Sequence, residues 1–144
     1  MDMVICETLR FYPLGDLERM CVKEYRIPGT DVVIPEGMVV QLPSTSIMRD
    51  ERHFPNPEQF NPENFSRDNR EMRNPYAFLT FGLGPRNCIG SRFALLQLKI
   101  AVIHLVHNFK ILTCAKTPDK LEVDQWSVSA EAKGGFWVRF EKRH

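Results

Sequence analysis

Residues 81–90, FGLGPRNCIG, set one cysteine in a tight loop rich in glycine, proline and arginine, directly ahead of the apolar run SRFALLQLKIAVIHLVHNF at 91–109. A cysteine ligates a metal only as the thiolate, so its surroundings must favour the anion. The run at 91–109 reads as a helix, which leaves Cys88 just outside a helix N-terminus. Unpaired amide N–H groups and the positive end of the helix dipole favour an anion there, and the same amides can hydrogen-bond the sulfur and tune its donor strength. Gly82, Gly84 and Gly90 carry no side chain, so the loop can turn closely and approach a flat macrocycle without a clash. Phe81 then lies against such a ring, and Arg86 is placed to pair with a negatively charged group on it.

A lone cysteine in a glycine loop is more often a small buried apolar residue than a ligand. Here Phe81, Gly84, Arg86, Cys88 and Gly90 fill every defined position of the pattern F-x-x-G-x-R-x-C-x-G. That is the signature of the cytochrome P-450 superfamily, and the chain resembles its C-terminal part. The resemblance implies heme b as cofactor, with Cys88 as axial cysteinate and Phe81, Gly82, Gly84, Arg86 and Gly90 in contact with the haem. Through LERMC at 17–21, Arg19 maps onto a second arginine that holds a haem propionate. A solvated arginine beside Glu18 is the equally weighted reading on charge composition alone.

Glu7-Thr8-Leu9-Arg10 resembles the family's E-x-x-R, whose spacing puts carboxylate and guanidinium on one helix face, where they can pair and clamp a neighbouring loop. As a surface ion pair the same residues would contribute only about 0.2–0.5 kcal/mol. FNPENF at 60–65 resembles the family's P-E-R-F segment, whose arginine completes a lock with the E-x-x-R pair; this chain has Asn64 there. Asparagine carries no charge and cannot make a bidentate contact with a carboxylate, so the expectation is a weaker lock, with Arg67 or Arg70 as neighbouring substitutes. Met48 is a second departure, standing where the family commonly has histidine before an Arg-Asp pair, and local packing is the expected consequence.

The implied fold is mainly α with small β-sheets, the C-terminal part of the P-450 fold: an E-x-x-R helix, strands, a meander, the cysteine loop, a proximal helix and a terminal β hairpin. The expected first helix covers 1–11 and stops before Tyr12-Pro13. Short strands are expected at 32–34 and 38–42, flanking a turn at Pro35-Glu36-Gly37. Seven of the ten prolines lie between Pro28 and Pro75, so the middle of the chain is expected to be irregular, anchored by Phe54, Phe60 and Phe65. The helix at 91–109 is apolar on most faces and is expected to be buried in a core. Arg92, Gln97, Lys99 and His104 interrupt it, so it lacks the run of about 18 apolar residues that a membrane span requires. Segments at 121–123 and 136–140, with Gly134-Gly135 nearby, suggest the terminal hairpin.

Composition bounds the function classes. A formal net charge of +1 gives no electrostatic case for nucleic acid. Four cysteines at 6, 21, 88 and 114 show no C-x-x-C spacing, which suggests neither a zinc ribbon nor a disulfide framework and fits reducing surroundings. Cys6, Cys21 and Cys114 read as core or surface thiols. His104 and His107 share a helical face but do not make a zinc set with one cysteine, and polar helix positions explain them.

For a complete protein of this family, the resemblance implies insertion of one oxygen atom from O2 into an apolar small molecule. Electrons would come from an NADPH-dependent flavoprotein reductase, at the cytoplasmic face of the endoplasmic reticulum membrane. The subgroup most similar is the animal microsomal one, with drug-metabolising and insect detoxification members. Substrate contacts map onto Leu14, Gly15, Asp16 and Leu17, and onto Trp126, Ser127 and Val128 in the terminal hairpin. An unpaired buried carboxylate is costly, so Asp16 either faces water or pairs with a basic substrate group. Lys99 and Arg92 are candidates for the reductase-facing charge. Residues 1–144 are expected to be the C-terminal portion of a single domain, whose N-terminal membrane anchor and distal oxygen-activating helix lie outside this sequence. Two other readings stand beside it: a haem-thiolate isomerase or dehydratase acting on an oxygenated lipid without a reductase, and, as the expectation for residues 1–144 taken alone, a non-catalytic haem-binding or interaction fragment that exposes apolar surface.

Overall fold

A computed structural model describes residues 1–123 and 131–143. Helix α1 spans Asp2–Phe11, with Asp2 in its first turn and Arg10 in its last, charges that suit the two ends of the helix dipole. It ends ahead of Pro13 as the sequence requires. Its inward residues are Ile5, Cys6, Glu7 and Arg10. Two small antiparallel sheets follow. Strand β1 (Leu17–Met20) pairs with β4 (Val39–Leu42), and between them β2 (Tyr25–Arg26) pairs with β3 (Val33–Ile34).

The strands expected at 32–34 and 38–42 therefore exist in shortened form and flank the Pro35-Glu36-Gly37 turn, but each pairs with an earlier strand. The hydrogen bonds give the reason: Gly37 donates its N–H to the Cys21 carbonyl at 2.7 Å, and Cys21 donates to Met38 at 2.8 Å. Those bonds commit the turn to the upstream chain. After the short helix α2 (Ser44–Ile47), an irregular segment reaches a 3-10 turn at Pro62–Phe65 and helix α3 (Arg67–Met72). The 3-10 turn begins on Asn61, whose side chain accepts the Glu63 N–H at 3.1 Å.

The buried pair Glu7 and Arg10 organises this half of the chain. Both are fully buried and meet in a bidentate contact, Nε to Oε2 at 2.7 Å and Nη2 to Oε1 at 2.8 Å. Arg10 also donates to the carbonyls of Met48 (2.9 Å), Pro57 (3.0 Å) and Gln59 (3.4 Å). Glu7 Oε1 accepts the Asn61 N–H at 2.8 Å and the Asn64 Nδ2–H at 3.2 Å. Ion pair and loop are thus one unit, which excludes the surface-pair reading. Around it lie the buried side chains of Met48, Phe54, Phe65, Ala77 and Cys6. Met48 fills the core where a polar ring was the family expectation, and its carbonyl serves Arg10. Phe54 and Phe65 anchor the irregular segment, but Phe60 is 46 % exposed, its ring in a T-shaped contact with Phe11 at 6.1 Å.

Helix α4 (Ser91–Asn108) forms as expected, and Phe109 starts β5 (Phe109–Leu112) instead of extending the helix. The expected burial of α4 is not what the structure shows. None of its residues is buried; among the described elements α1 and β5 make its main contacts and leave most of it uncovered. No helix among the described residues is long and apolar enough to cross a membrane. The terminal hairpin is also re-partnered. Strand β6 (Arg139–Lys142) pairs with β5, and Val123 makes a single bridge to Ala132. Phe109 and Phe140 pack edge to face at 5.6 Å across the β5–β6 pair, which accounts for the preference.

Asp2 ties three helices together, accepting from Arg70 on α3 at 2.7 Å and pairing with Lys99 on α4 at 2.7 Å. Those contacts, Lys99 first, hold its carboxyl below the ordinary value of 3.8. Two outcomes follow. Arg10→Met should cost about 3–5 kcal/mol in urea denaturation, since it strands a buried carboxylate and three carbonyls; a loss under about 1 kcal/mol would contradict the clamp. A carboxyl depressed in the folded state stabilises fully above its unfolded value and loses that contribution as pH falls through the folded one. The stability gap between the natural chain and Asp2→Asn should therefore be constant above about pH 5 and close as pH drops below 3.8.

Candidate functional site

The approach to the cysteine loop is fixed by the core. Ala77 and Leu79 are buried, and the Thr80 hydroxyl lies 3.3 Å from the Leu9 carbonyl and 3.6 Å from the Met48 sulfur. The chain then folds tightly: Gly82 donates to Leu79 at 2.9 Å, Asn87 to Gly84 at 3.1 Å and Cys88 to Phe81 at 2.8 Å. Gly82 and Gly84 sit at φ +67° and +75°, left-handed conformations that favour glycine. Between them and the cysteine, Gly84–Arg86 makes one 3-10 turn. Ser91 donates to the Cys88 carbonyl at 3.3 Å, so the cysteine is hydrogen-bonded into the start of α4.

The loop presents its tip outward. Cys88 is a free, exposed thiol, and Ile89 beside it is wholly exposed. Phe93, in the first turn of α4, is 70 % exposed. Gly90 has ordinary backbone angles, and a Cβ built there would stand 4.0 Å from the Cys88 sulfur. Phe81 is half-buried, with its carbonyl holding the Cys88 N–H.

Arg19 and Arg86, 67 residues apart in sequence, come together here. The Arg19 guanidinium approaches the Arg86 carbonyl at 3.5 Å and donates to the Glu18 carbonyl at 2.6 Å. Both arginines are exposed, and neither forms an ion pair among the described residues. A soft thiol, flanking apolar side chains and two uncompensated guanidinium groups are a donor set suited to a flat apolar group that carries acidic substituents.

Leu17 adjoins this loop, since a Cβ at Gly82 would lie 3.8 Å from its Cδ1. Leu14, Gly15 and Asp16 lead up to it between α1 and β1 and are exposed. The Asp16 carboxylate faces water and caps α2, accepting the Thr45 N–H at 3.0 Å and the Ser44 hydroxyl at 3.2 Å. These bonds, the Thr45 amide first, hold its carboxyl below the usual range. The positions Trp126, Ser127 and Val128 lie outside the described residues. On either side of them the chain comes back to α1: Phe11 and Tyr12 face Leu121, Phe136, Trp137 and Val138 across a cavity of about 420 Å³.

Matching the chain with known proteins decides its family. The family model described as cytochrome P-450 matches residues 1–138. The chain belongs to the cytochrome P-450 family. It is 41 % identical to cytochrome P-450 9e2 of Blattella germanica over 145 residues, covering 99 % of this chain and 27 % of that protein. It is 47 % identical to cytochrome P-450 3A12 of Canis lupus familiaris over 125 residues, 86 % of this chain and 24 % of that protein. With cytochrome P-450 3A1 of Rattus norvegicus the identity is 47 % over 126 residues, 87 % and 25 %. The chain thus spans about a quarter of the length of these insect and mammalian relatives.

The remaining sequence candidates separate cleanly. Arg67 pairs with Glu71 at 3.1 Å and Arg70 with Asp2, so neither reaches Glu7 in place of the missing arginine. Asn64 itself is buried and hydrogen-bonded to Glu7. Lys99 is engaged by Asp2, leaving Arg92 exposed and without an ion pair among the described residues. His104 and His107 are exposed, and no cluster of His, Cys, Asp or Glu suited to a metal occurs among the described residues. Cys6 is in the core, where burial pushes its thiol up; Cys114 sits by the Thr117 hydroxyl, which lowers it.

Sequence reasoning missed Asn61, Arg73 and Thr80. An asparagine before proline at a turn start is a readable cap signal. Thr80 and Arg73 act across long sequence separations and carry no local signature. The two key glycines should separate by cause. Gly84→Ala, at positive φ, should lower stability by about 1–2 kcal/mol in urea denaturation. Gly90→Ala should cost only about 0.5 kcal/mol, because its angles and the space around it admit a methyl group. Equal losses at both would show that loop strain is not what requires Gly84.

Proposed function

We propose that this chain is the cysteinate-bearing C-terminal portion, residues 1–144, of a haem-thiolate monooxygenase, in which Cys88 would supply the thiolate that holds the haem iron. The observation that carries the reading is that Arg19 meets the loop bearing Arg86 and the exposed Cys88 thiol, with neither arginine in an ion pair among the described residues. When bound, the haem iron supplies the means to activate O2 for insertion of one oxygen atom into a substrate.

The chain's own residues hold that group. Cys88 contributes the thiolate, and amides at the start of α4 support its charge. Arg19 and Arg86 pair with the acidic substituents, while Phe81, Gly82, Gly84 and Gly90 shape the face of the loop. Leu14, Gly15, Asp16 and Leu17, with Trp126, Ser127 and Val128, contribute to the contact with an apolar small molecule. The resemblance to the family supports these positions, and the cavity of about 420 Å³ where Phe11 and Tyr12 face Phe136 and Trp137 offers apolar surface for such a molecule. An NADPH-dependent flavoprotein reductase is the electron source we infer, at the cytoplasmic face of the endoplasmic reticulum membrane, with Arg92 as the available charge on this chain. Family membership and the similarity to the 9e2 and 3A proteins support both points.

A second reading, a haem-binding or interaction module without turnover, is favoured by α4, whose Phe93, Leu96, Ile100 and Ile103 are all more than half exposed. Its sign is binding of an apolar dye to the purified chain.

Adding haem to the chain and recording the reduced, carbon monoxide-bound spectrum tests the ligand. A strongly red-shifted Soret band that disappears in Cys88→Ser is the expected result. A band that persists in Cys88→Ser would remove Cys88 from its role.

A further inference from the structure

Asn64 gives Glu7 a hydrogen bond but no charge, and the neighbouring Arg67 and Arg70 are held by Glu71 and Asp2. A different cation stands beside the lock. Arg73, nine residues beyond Asn64 and half-buried, donates from Nη1 to the Asn64 carbonyl at 2.7 Å. Its guanidinium lies 4.5 Å from the centre of the Phe54 ring and 4.7 Å from that of Phe65. Arg10 meets the same Phe54 ring at 5.2 Å. Among the described residues Arg73 has no carboxylate within ion-pair distance; two aromatic faces and one carbonyl meet its charge, while burial and the neighbouring Arg70 push its pKa down.

We propose that Arg73 is the third, positively charged member of the Glu7–Arg10 lock in this chain, taking over the task that Asn64 cannot perform, and that it positions the segment leading to Cys88. Three features converge on it. The guanidinium fixes the 3-10 turn at Pro62–Phe65 through the Asn64 carbonyl, and that turn delivers Asn64 Nδ2 to Glu7. It packs against both Phe54 and Phe65, two buried aromatic anchors of the core whose ring centres are 6.0 Å apart. Arg73 is also the extended residue that ends α3, immediately before the segment carrying Ala77, Leu79 and Thr80 into the core. The inference rests on the lock geometry and not on haem binding.

An arginine at position 64 would bring a second guanidinium to the same aromatic cluster, so the two cations exclude each other. This gives a coupling that changes sign. In urea denaturation of the chain, Arg73→Ile should raise the unfolding equilibrium constant by about tenfold. Asn64→Arg in the natural background should be neutral or destabilising, yet in the Arg73→Ile background it should restore most of the loss. Asn64→Leu in that background should restore nothing. Where Arg73→Ile alone fails to fold, return of a cooperative transition in Asn64→Arg/Arg73→Ile counts as the rescue.

The positioning role is read from hydrogen exchange of the Gly82 and Cys88 amides, which bond Leu79 and Phe81. Their protection should fall in Arg73→Ile and return in the double variant. Additive effects at the two sites, or rescue by leucine as well as arginine, would overturn the lock assignment. Unchanged amide protection in Arg73→Ile would overturn the positioning. Loss of the Cys88-dependent spectrum with the coupling intact would instead count against the haem-ligand reading.

Discussion

Two fully buried charges at Glu7 and Arg10 constrain everything that follows them in this chain. Removing them from water is costly, and the geometry offsets the cost by giving each charge several partners. The carboxylate receives two bonds from Arg10, one from a backbone amide and one from Asn64. The guanidinium reaches three carbonyls of a segment about forty to fifty residues downstream. An irregular segment with many prolines has few internal hydrogen bonds to define it, so this pair supplies the order that a strand or helix would otherwise give. Helix α1 is therefore a post on which the middle of the chain is hung.

That order is passed on to the cysteine loop. Thr80 touches α1 and Met48, and the turns after it leave little freedom in the backbone as far as Cys88. Positive φ at Gly82 and Gly84 is needed by the loop itself, whereas Gly90 meets no such demand within the chain. The glycines are therefore not equivalent, although they look alike in the sequence. A loop whose backbone is fixed before any partner arrives binds with less ordering cost.

The α4 side of the molecule contrasts with this. Its helix is well formed, with apolar residues on several faces and none buried. Helix formation there follows from local propensity and length, and burial would require elements to pack against it. In a chain that spans about a quarter of its relatives' length, α1 and β5 cover only part of that surface.

The sequence alone identified the family, the cysteine loop with its five matching positions, the extent of α1 and nearly that of α4, and the pairing of Glu7 with Arg10. These are legible because each depends on residues close together: a loop motif, a helix period, a spacing of three. Strand partners, the exposure of α4 and Phe60, the roles of Asn61 and Thr80, and the placing of Arg73 against Phe54 and Phe65 were decided by tertiary structure. A strand's preference for being extended does not name its partner, and apolar character does not guarantee that something exists to cover it. The departure at Asn64 shows the same division. Its lack of charge was plain from the residue type, but the cation beside it stands nine positions away, and only the folded chain brings that side chain to the aromatic rings and the carbonyl that hold it.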